Sequence, residues 1–386
     1  MTLTTNQQLD KIQPSAIRVF DQLFRSIDDC ILMTIGEPDF SMPEHVKDAA
    51  IKAIQEDESH YSHSMGAIGV RQAVADYLKR RYQLDYNPES EILMTVGATE
   101  AISTVLKAIL NPGEKIIVPT PGFPLYKLSA TIAYGETIEV NTSESGFLLT
   151  ADQVHQVMAD HDDVKAIVLN YPSNPTGVTY TPDELQALVE AIRQYEVFVI
   201  SDEIYSELTY DQEHLSIARL LPEQTILISG ASKAFAMTGW RVGFIATQEK
   251  WLPPIFKTHQ MAITTGVTVS YKAAEEAFNN GAEAVALMKA EYEKRRDYCV
   301  GALTNLGFEL AKPSGAFYLF IKLPQQFGKD DQAFCRDLAE KGKVGLIPGS
   351  VFGPGGEGYV RMSYALSQEG IEEAMKRITN YMGKSE

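Results

Sequence analysis

Four side chains capable of chemistry follow three consecutive predicted strands. The runs KAIVLN (165–170), VFVIS (197–201) and TILIS (225–229) lead into YPSNPTG, DEIY and GASK. Ligands of an open parallel sheet bind beyond the carboxyl ends of its strands. The sequence therefore predicts that four side chains meet in one cleft: Asn174, Asp202, Tyr205 and Lys233.

Each of these side chains also has an ordinary structural explanation. An asparagine is common in turns, and an aspartate after a strand can cap the next helix. Tyrosines usually pack in the core, and most lysines are exposed. The four ordinary explanations would have to coincide at adjacent strand ends, so the positions together favour a functional site.

These groups, with a nearby arginine, suit one kind of ligand. A desolvated lysine is a nucleophile toward carbonyl groups and can form a Schiff base. A buried carboxylate can keep a pyridine nitrogen protonated, while an amide and a phenol can hydrogen-bond a phenolate oxygen. Ser232, Arg241 and the strand-to-helix turn VGATEA (96–101), with Thr99, can hold a phosphate. Together they describe a site for pyridoxal 5′-phosphate.

An alternation of strands and helices carries these residues. Two further apolar runs lie at 91–96 and 115–120, and helical patterns at 99–110 and 182–195 separate several strands. Continuous apolar strands that alternate with helices indicate an α/β fold whose parallel sheet is covered on both faces. Additional helices are predicted at 14–27, 44–55 and 70–83.

The pattern changes near residue 285. A long charged helix is followed by GAFYLFIKL, a helix, VGLIPG, GYVRMSYA and a final helix. This order predicts a smaller α+β domain, against which the first 40 residues are expected to pack. The predicted division is a large domain at 45–285 and a small domain formed by 1–44 and 286–386.

Composition narrows the possible partners and location. The 386 residues carry a formal net charge of −17, which opposes binding to nucleic acid or to anionic membranes. Cys30, Cys299 and Cys335 form no CxxC and no metal-ligand spacing, so we expect reduced thiols and no bound metal. The sequence has neither a signal-peptide pattern at its start nor 18 consecutive apolar residues. We therefore expect a cytoplasmic protein.

The chain resembles the class I/II aminotransferases, which are fold-type I pyridoxal-phosphate enzymes. The motifs that carry the resemblance span nearly the whole chain: IGEPDF (35–40), VGATEA, YPSNPTG, SDEIYSELTYD (201–211), SKAFAMTGWRVGF (232–244), KPSGAFYLF (312–320) and GYVRMSYA (358–365). The resemblance implies a large domain with a mostly parallel seven-stranded sheet between helices, plus the smaller α+β domain. The chain is similar overall to bacterial aromatic aminotransferases and to N-acetyl-diaminopimelate aminotransferases.

The resemblance also implies a role for individual positions. Lys233 forms the Schiff base and moves the proton, while Arg361 binds the substrate α-carboxylate and Gly36 lets the substrate approach. Cofactor contacts are expected from Asp202 at the ring nitrogen, Asn174 and Tyr205 at O3′, Phe123 (or, as second choice, Tyr126) on the ring face, and Ala98, Thr99, Ser232 and Arg241 at the phosphate. The phosphate is also expected to be contacted by Tyr61 from a second subunit, which requires a homodimer.

Three hypotheses of function follow. The first is transamination between an L-amino acid, with aromatic amino acids favoured and N-acetyl-LL-diaminopimelate close behind, and a 2-oxo acid such as 2-oxoglutarate. The second is a pyridoxal-phosphate-dependent C–S lyase, which would release pyruvate and ammonia. The third, a cofactor sensor fused to a DNA-binding module, is disfavoured by the acidic charge and by the lack of such a module before residue 30.

Three positions depart from the pattern of many relatives. Tyr271 and Lys272 stand in the segment AITTGVTVSYKAAEEA (262–277), where a glutamine and an apolar or aromatic residue are common. The sequence leaves open whether they touch the substrate pocket. Gly230 stands where some relatives have a phosphate-binding serine, so one hydroxyl contact is expected to be missing.

Overall fold

The computed structural model describes residues 3–383 as helices packed around three sheets. The helices are α1 (Ala16–Arg25), α2 (Glu44–Gln55), α3 (Ile68–Tyr82), α4 (Gly97–Ile109), α5 (Leu125–Ile132), α6 (Ala151–Asp160), α7 (Pro182–Ile192), α8 (Ala231–Ala234), α9 (Leu252–Ile263), α10 (Thr268–Asn280), α11 (Ala282–Asn305), α12 (Asp331–Asp337) and α13 (Gln368–Gly383). The strands are β1 (Ile31–Leu32), β2 (Ile92–Thr95), β3 (Lys115–Thr120), β4 (Glu136–Asn141), β5 (Val164–Asn170), β6 (Phe198–Asp202), β7 (Thr225–Gly230), β8 (Gly243–Ala246), β9 (Glu309–Leu310), β10 (Tyr318–Lys322), β11 (Val344–Gly345), β12 (Ile347–Pro348) and β13 (Tyr359–Ser363).

The largest sheet has seven strands in the order β2-β8-β7-β6-β5-β3-β4. Strands β4, β3, β5, β6 and β7 pair in parallel, whereas β8 is antiparallel to both of its neighbours. The predicted α/β fold with a mostly parallel seven-stranded sheet is confirmed.

Alternate residues of β5 explain why its sequence is apolar throughout. Ala166 and Val168 belong to the apolar cluster that packs against α4, α5 and α9. Ile167 and Leu169 belong to the cluster on the opposite face, against α6 and α7. Because both faces of the sheet are covered by helices, every side chain in the middle of the strand is buried.

The five strands predicted from apolar runs are present, within a residue or so of their expected bounds. The apolar runs did not reveal β4 and β8. Strand β4 lies at the sheet edge, and its sequence ETIEVN is partly exposed and alternating. Strand β8 has only four residues, all buried, and its sequence GFIA begins within the last two residues of the motif SKAFAMTGWRVGF.

A second region is built around a four-stranded antiparallel sheet in the order β12-β13-β10-β9. The N-terminal segment packs here, because β1 pairs in parallel with β11 and because Phe20, Phe24 and Met33 lie in the same apolar cluster as Phe320 and Met362. This agrees with the expected packing of the first 40 residues. The domain limits at 45–285 stay a prediction.

None of the helices within residues 3–383 is long and apolar enough to cross a bilayer.

Candidate active site

A cavity of about 600 Å³ opens at the carboxyl ends of β5, β6 and β7. Eleven of the twelve residues predicted for the site line it: Gly36, Ala98, Thr99, Phe123, Asn174, Asp202, Tyr205, Ser232, Lys233, Arg241 and Arg361. The twelfth, Tyr61, lies elsewhere. The parallel strands therefore bring distant parts of the sequence to one place, as their common direction requires.

Lys233 lies on the short helix α8 directly after β7, with its amine inside the cavity wall. Its Nζ donates a hydrogen bond to the Gly36 carbonyl oxygen at 2.7 Å and lies 5.9 and 5.7 Å from the ring centroids of Tyr205 and Phe317. Burial lowers the pKa of Lys233 to about 8, and the nearby Glu37 carboxylate opposes part of this shift. A substantial share of the amine is therefore neutral near physiological pH.

Asp202 ends β6 and is held from two sides. Its Oδ2 accepts a hydrogen bond from the Tyr126 hydroxyl at 2.8 Å, and its Oδ1 accepts one from the Ile204 N–H at 3.3 Å. Burial raises the pKa of Asp202 to about 6, while the Tyr126 hydrogen bond counteracts this. The carboxyl group is therefore poised to pair with a cationic nitrogen.

Arg361 reaches the cavity from β13 and is 2% exposed. Its guanidinium lies between the rings of Tyr318 and Phe352, at 4.6 and 4.9 Å from their centroids. It donates to Asn174 Oδ1 at 2.7 Å and to the Thr34 carbonyl oxygen, and its Nε is without a partner among the described residues. A buried guanidinium without a carboxylate partner is suited to an anionic ligand.

The Asn174 amide is oriented by the bond from Arg361. Because Oδ1 accepts that hydrogen bond, the Nδ2 group remains a donor for a ligand. Tyr205 supplies a second hydroxyl, which bonds to the Tyr318 hydroxyl at 2.8 Å. Burial raises the pKa of Tyr205 well above its usual value, so the phenol is protonated at physiological pH.

The other end of the cavity resembles an anion cradle. Helix α4 begins at Gly97 without a side-chain cap, so the amides of its first turn have no partner within the helix. Gly97 has a φ of +75°, and a Cβ there would collide with the Arg241 guanidinium. A Cβ at Gly243 would lie 2.7 Å from the Ala98 nitrogen. These two glycines let the arginine and β8 come close to the start of the helix.

Tyr61 lies on an exposed loop outside the cavity of its own chain. It is 88% exposed. Its loop is fixed to the segment before α10 by the Ser62–Thr265 hydrogen bond and to the first residue of α10 by the His60–Thr268 hydrogen bond. Tyr61 does not line the cavity of its own chain, and its role toward a second subunit stays a prediction.

The two unusual residues of α10 do not line the cavity. Tyr271 is 2% exposed and accepts a hydrogen bond from the Gly266 N–H at 3.0 Å. Lys272 pairs with Glu58 at 3.4 Å. Their departure from the common pattern is therefore structural. At Gly230, a Cβ would lie 2.8 Å from the Gly243 Cα, which leaves no room for a serine.

Sequence reasoning missed several cavity residues. Asn170 ends β5, and its side chain joins the Asp202 carbonyl oxygen (3.0 Å) to the Asn174 N–H (2.9 Å). Its position at a strand end was the available signal. Glu37 and Tyr318 also line the cavity. Their signal was their place in the motifs IGEPDF and KPSGAFYLF, but neither residue was given a role.

Comparison with known proteins decides the family. The family model for aminotransferase class I and II matches residues 28–378. The chain belongs to this family. It is 41% identical to the probable N-acetyl-LL-diaminopimelate aminotransferase of Bacillus subtilis (strain 168), over 98% of its own length and 96% of that protein. It is 35% identical to the aromatic-amino-acid aminotransferase 2 of Thermococcus litoralis, over 97% of each chain.

The fold of this aminotransferase is also that of solved family members. The structure of the aspartate aminotransferase from Thermus thermophilus with maleate superposes with a TM-score of 0.92 at 33% identity, covering 98% of this chain and 100% of that one. The family depends on pyridoxal 5′-phosphate, so the predicted family, enzyme class and cofactor are confirmed.

The residues of this aminotransferase cavity fit that cofactor. The desolvated Lys233 amine suits its aldehyde, and the buried Asp202 carboxylate suits its ring nitrogen. The guanidinium of Arg241 beside the uncapped start of α4 suits its phosphate.

Proposed function

We propose that this aminotransferase exchanges an amino group between an L-amino acid and 2-oxoglutarate, with Lys233 as the group that moves the proton. The observation that carries the proposal is that the Lys233 amine, the Asp202 carboxylate and the Arg361 guanidinium line one cavity. These three groups differ in charge and in chemistry, and each suits a different task in transamination: proton transfer, binding of the cofactor ring nitrogen and binding of the substrate α-carboxylate.

The proposed contacts to pyridoxal 5′-phosphate follow from the positions around the cavity. Asp202 would pair with the ring nitrogen, and Phe123 would lie on the ring face. The Asn174 amide and the Tyr205 hydroxyl would bond O3′. The phosphate would be held by Ala98, Thr99, Ser232, Arg241 and, from the partner subunit, by a tyrosine at position 61. When bound, the cofactor supplies a carbonyl carbon for the substrate amine and a ring that draws electrons from the substrate Cα.

The chain's own residues then have distinct tasks. Arg361 holds the substrate α-carboxylate and thereby orients the Cα–H bond. Lys233 Nζ takes the proton from Cα, for which its pKa of about 8 is well matched to neutral pH. Gly36 lets the Tyr318 hydroxyl lie against the main chain, because a Cβ there would collide with that hydroxyl, and the proposed role of Gly36 is to keep this wall of the cavity free of a side chain.

For the second substrate we propose an aromatic amino acid. The volume of the cavity and its Ile17 and Ile35 side chains suit a large apolar group, and the similar Thermococcus litoralis protein is named for aromatic amino acids. N-acetyl-LL-diaminopimelate is the second candidate. Arg18 lines the cavity without a partner among residues 3–383 and could bind a distal carboxylate, and the Bacillus subtilis relative is named for that substrate.

We further propose a homodimer in which Tyr61 completes the partner's site. Tyr61 lines a surface depression together with Val267, and the two side chains are 88% and 65% exposed. An exposed apolar group of this kind around a functional loop supports an interface. A cytoplasmic location is proposed on the unpaired cysteines alone.

The test is the absorbance of the purified holoenzyme after addition of single amino acids. If phenylalanine or tyrosine converts the absorbance band of the Schiff base, and 2-oxoglutarate then restores this cofactor band, the result supports aromatic transamination. Conversion by glutamate but by neither aromatic amino acid makes N-acetyl-LL-diaminopimelate the next substrate to test. Release of pyruvate and ammonia from a cystathionine-type substrate, without conversion by any amino acid, refutes transamination in favour of a C–S lyase.

A matched pair of lysine variants controls this experiment. Lys233→Ala should abolish both the Schiff-base band and the conversion. Lys257→Ala, at an exposed lysine outside the cavity, should leave both unchanged. An unaltered band in Lys233→Ala would contradict the mechanism.

A further inference from the structure

The hydroxyl of Tyr126 contacts the carboxylate of Asp202, although the two residues lie on different elements, α5 and β6. Tyr126 lies on α5 and is 2% exposed, and its hydroxyl donates to Asp202 Oδ2 at 2.8 Å. Its ring also meets that of Phe123 edge to face, with the centroids 6.1 Å apart. The sequence marked Tyr126 only as a second choice for stacking on the cofactor ring. The bond from its hydroxyl to the Asp202 carboxylate was not predicted.

The remaining contacts of Asp202 leave one oxygen available. Its Oδ1 accepts only a long hydrogen bond, 3.3 Å from the Ile204 N–H. Its main-chain carbonyl is fixed by the Asn170 side chain at 3.0 Å. Because Tyr126 occupies Oδ2 and Asn170 fixes the backbone, the carboxylate is held in one orientation and Oδ1 can accept a further donor.

We propose that Tyr126 is a positioning residue for Asp202: its hydroxyl keeps the carboxylate ionised and turned so that Oδ1 receives the N–H of the cofactor ring. This inference rests on the proposed contact between Asp202 and the ring nitrogen. Tyr126 also lines the cavity, but the role proposed for it is exerted through Asp202.

The electrostatics of the pocket make this hydrogen bond consequential. Burial raises the pKa of Asp202 to about 6, the Tyr126 and Ile204 donors lower it, Glu203 raises it and Lys233 lowers it. The protonated phenol of Tyr205 also faces Asp202. With the pKa this close to neutrality, loss of the Tyr126 donor would leave a larger fraction of Asp202 neutral at physiological pH. A hydrogen bond to an ionised group corresponds to a shift of about one pH unit or somewhat more.

The test is Tyr126→Phe in the holoenzyme, because this variant removes the hydroxyl and keeps the ring. The first readout is a pH titration of the cofactor absorbance band, which needs no turnover. The second is the dissociation constant of pyridoxal 5′-phosphate, and the third is the pH profile of kcat/KM. In Tyr126→Phe we expect the acidic transition of the cofactor absorbance band and the acidic limb of the kcat/KM profile to lie about one pH unit higher than in the unmodified enzyme. The dissociation constant of pyridoxal 5′-phosphate should rise about tenfold.

Tyr180→Phe is the matched control. Tyr180 is also buried, but its hydroxyl bonds the backbone of Leu149 and does not line the active-site cavity. It should lower thermal stability comparably without moving either acidic transition. Acidic transitions in Tyr126→Phe that coincide with those of the unmodified enzyme, or that move to lower pH, would overturn the inference.

The two proposals can fail separately. If the unmodified enzyme converts no amino acid but the band titration still shifts in Tyr126→Phe, the proposed transamination fails and the role of Tyr126 stands. If the unmodified enzyme transaminates normally and Tyr126→Phe titrates like it, only the role of Tyr126 is refuted.

Discussion

Replacing Arg361 by lysine separates the geometry of the proposed carboxylate contact from its charge. Arg361 is 2% exposed, and its planar guanidinium fits between the rings of Tyr318 and Phe352. A lysine keeps the positive charge in this place, but it offers one ammonium group instead of a planar fork. The substitution should therefore weaken substrate binding without leaving an empty, uncharged site.

The size of the effect follows from the bonds that a lysine cannot make. Two guanidinium donors of Arg361 are already used, toward Asn174 Oδ1 and the Thr34 carbonyl oxygen. A lysine ammonium cannot serve both of these and also hold a carboxylate in two-point geometry. Loss of one charge-assisted hydrogen bond costs about 2 kcal/mol, so kcat/KM should fall about 30-fold.

The assay is the rate of the half-reaction, followed at the cofactor band for phenylalanine and for glutamate. Because both amino acids share the α-carboxylate, both should lose the same factor, and the affinity for pyridoxal 5′-phosphate should change little. Arg296→Lys is the control, since Arg296 is also buried but forms ion pairs with Asp211 and Asp297 outside the cavity. Equal rates for Arg361→Lys and the unmodified enzyme would refute the carboxylate contact, as would a loss confined to one of the two substrates.

Three further outcomes follow from the site. Burial lowers the pKa of Lys233 to about 8 from 10.5, and only the neutral amine attacks an aldehyde. The rate at which the apoenzyme captures pyridoxal 5′-phosphate should therefore rise about tenfold per pH unit and level off above pH 8. A rate that continues to rise past pH 9.5 would contradict the burial argument. Gly36→Ala should lower kcat/KM about tenfold, because the added Cβ would meet the Tyr318 hydroxyl. In the control Gly301→Ala, the added Cβ on α11 would point into open space, so this variant should only stabilise the fold. Tyr61→Phe should leave the thermal stability of the cofactor-free protein unchanged, since it removes only a hydroxyl from a side chain that is 88% exposed in its own chain. It should nevertheless weaken cofactor binding several-fold, and unchanged binding would remove Tyr61 from the site.

The predicted helices and strands match the structure where burial produces a simple hydrophobic pattern in the sequence. Strand β3 has the predicted bounds, 115–120, and α2 has the predicted bounds, 44–55. Strand β5 is apolar throughout because helices cover both of its faces. The partly exposed edge strand β4 has no such pattern, and β8 is too short for a period to be recognised.

The chemical groups of the candidate site could be predicted because their types are unusual at strand ends. A lysine among small residues and an aspartate directly after a buried strand can be recognised in the sequence, whereas Arg361 in GYVRMSYA was identified only through the resemblance to a family. Their assignment to individual roles rested on the resemblance to a family. The protonation and hydrogen bonding of the same groups were not accessible in that way.

The apolar pattern of the sequence predicted the α/β architecture, and its motifs, with the resemblance to a family that they carry, predicted the family and eleven of the residues that line the cavity. Only the tertiary structure decided which atoms meet. The bond from Tyr126 to Asp202 and that from Lys233 to Gly36 join residues 76 and 197 positions apart. Desolvation of Lys233 and Asp202 likewise depends on everything packed around them. Contacts and dielectric environment are properties of the assembled fold, and no sequence spacing encodes them directly.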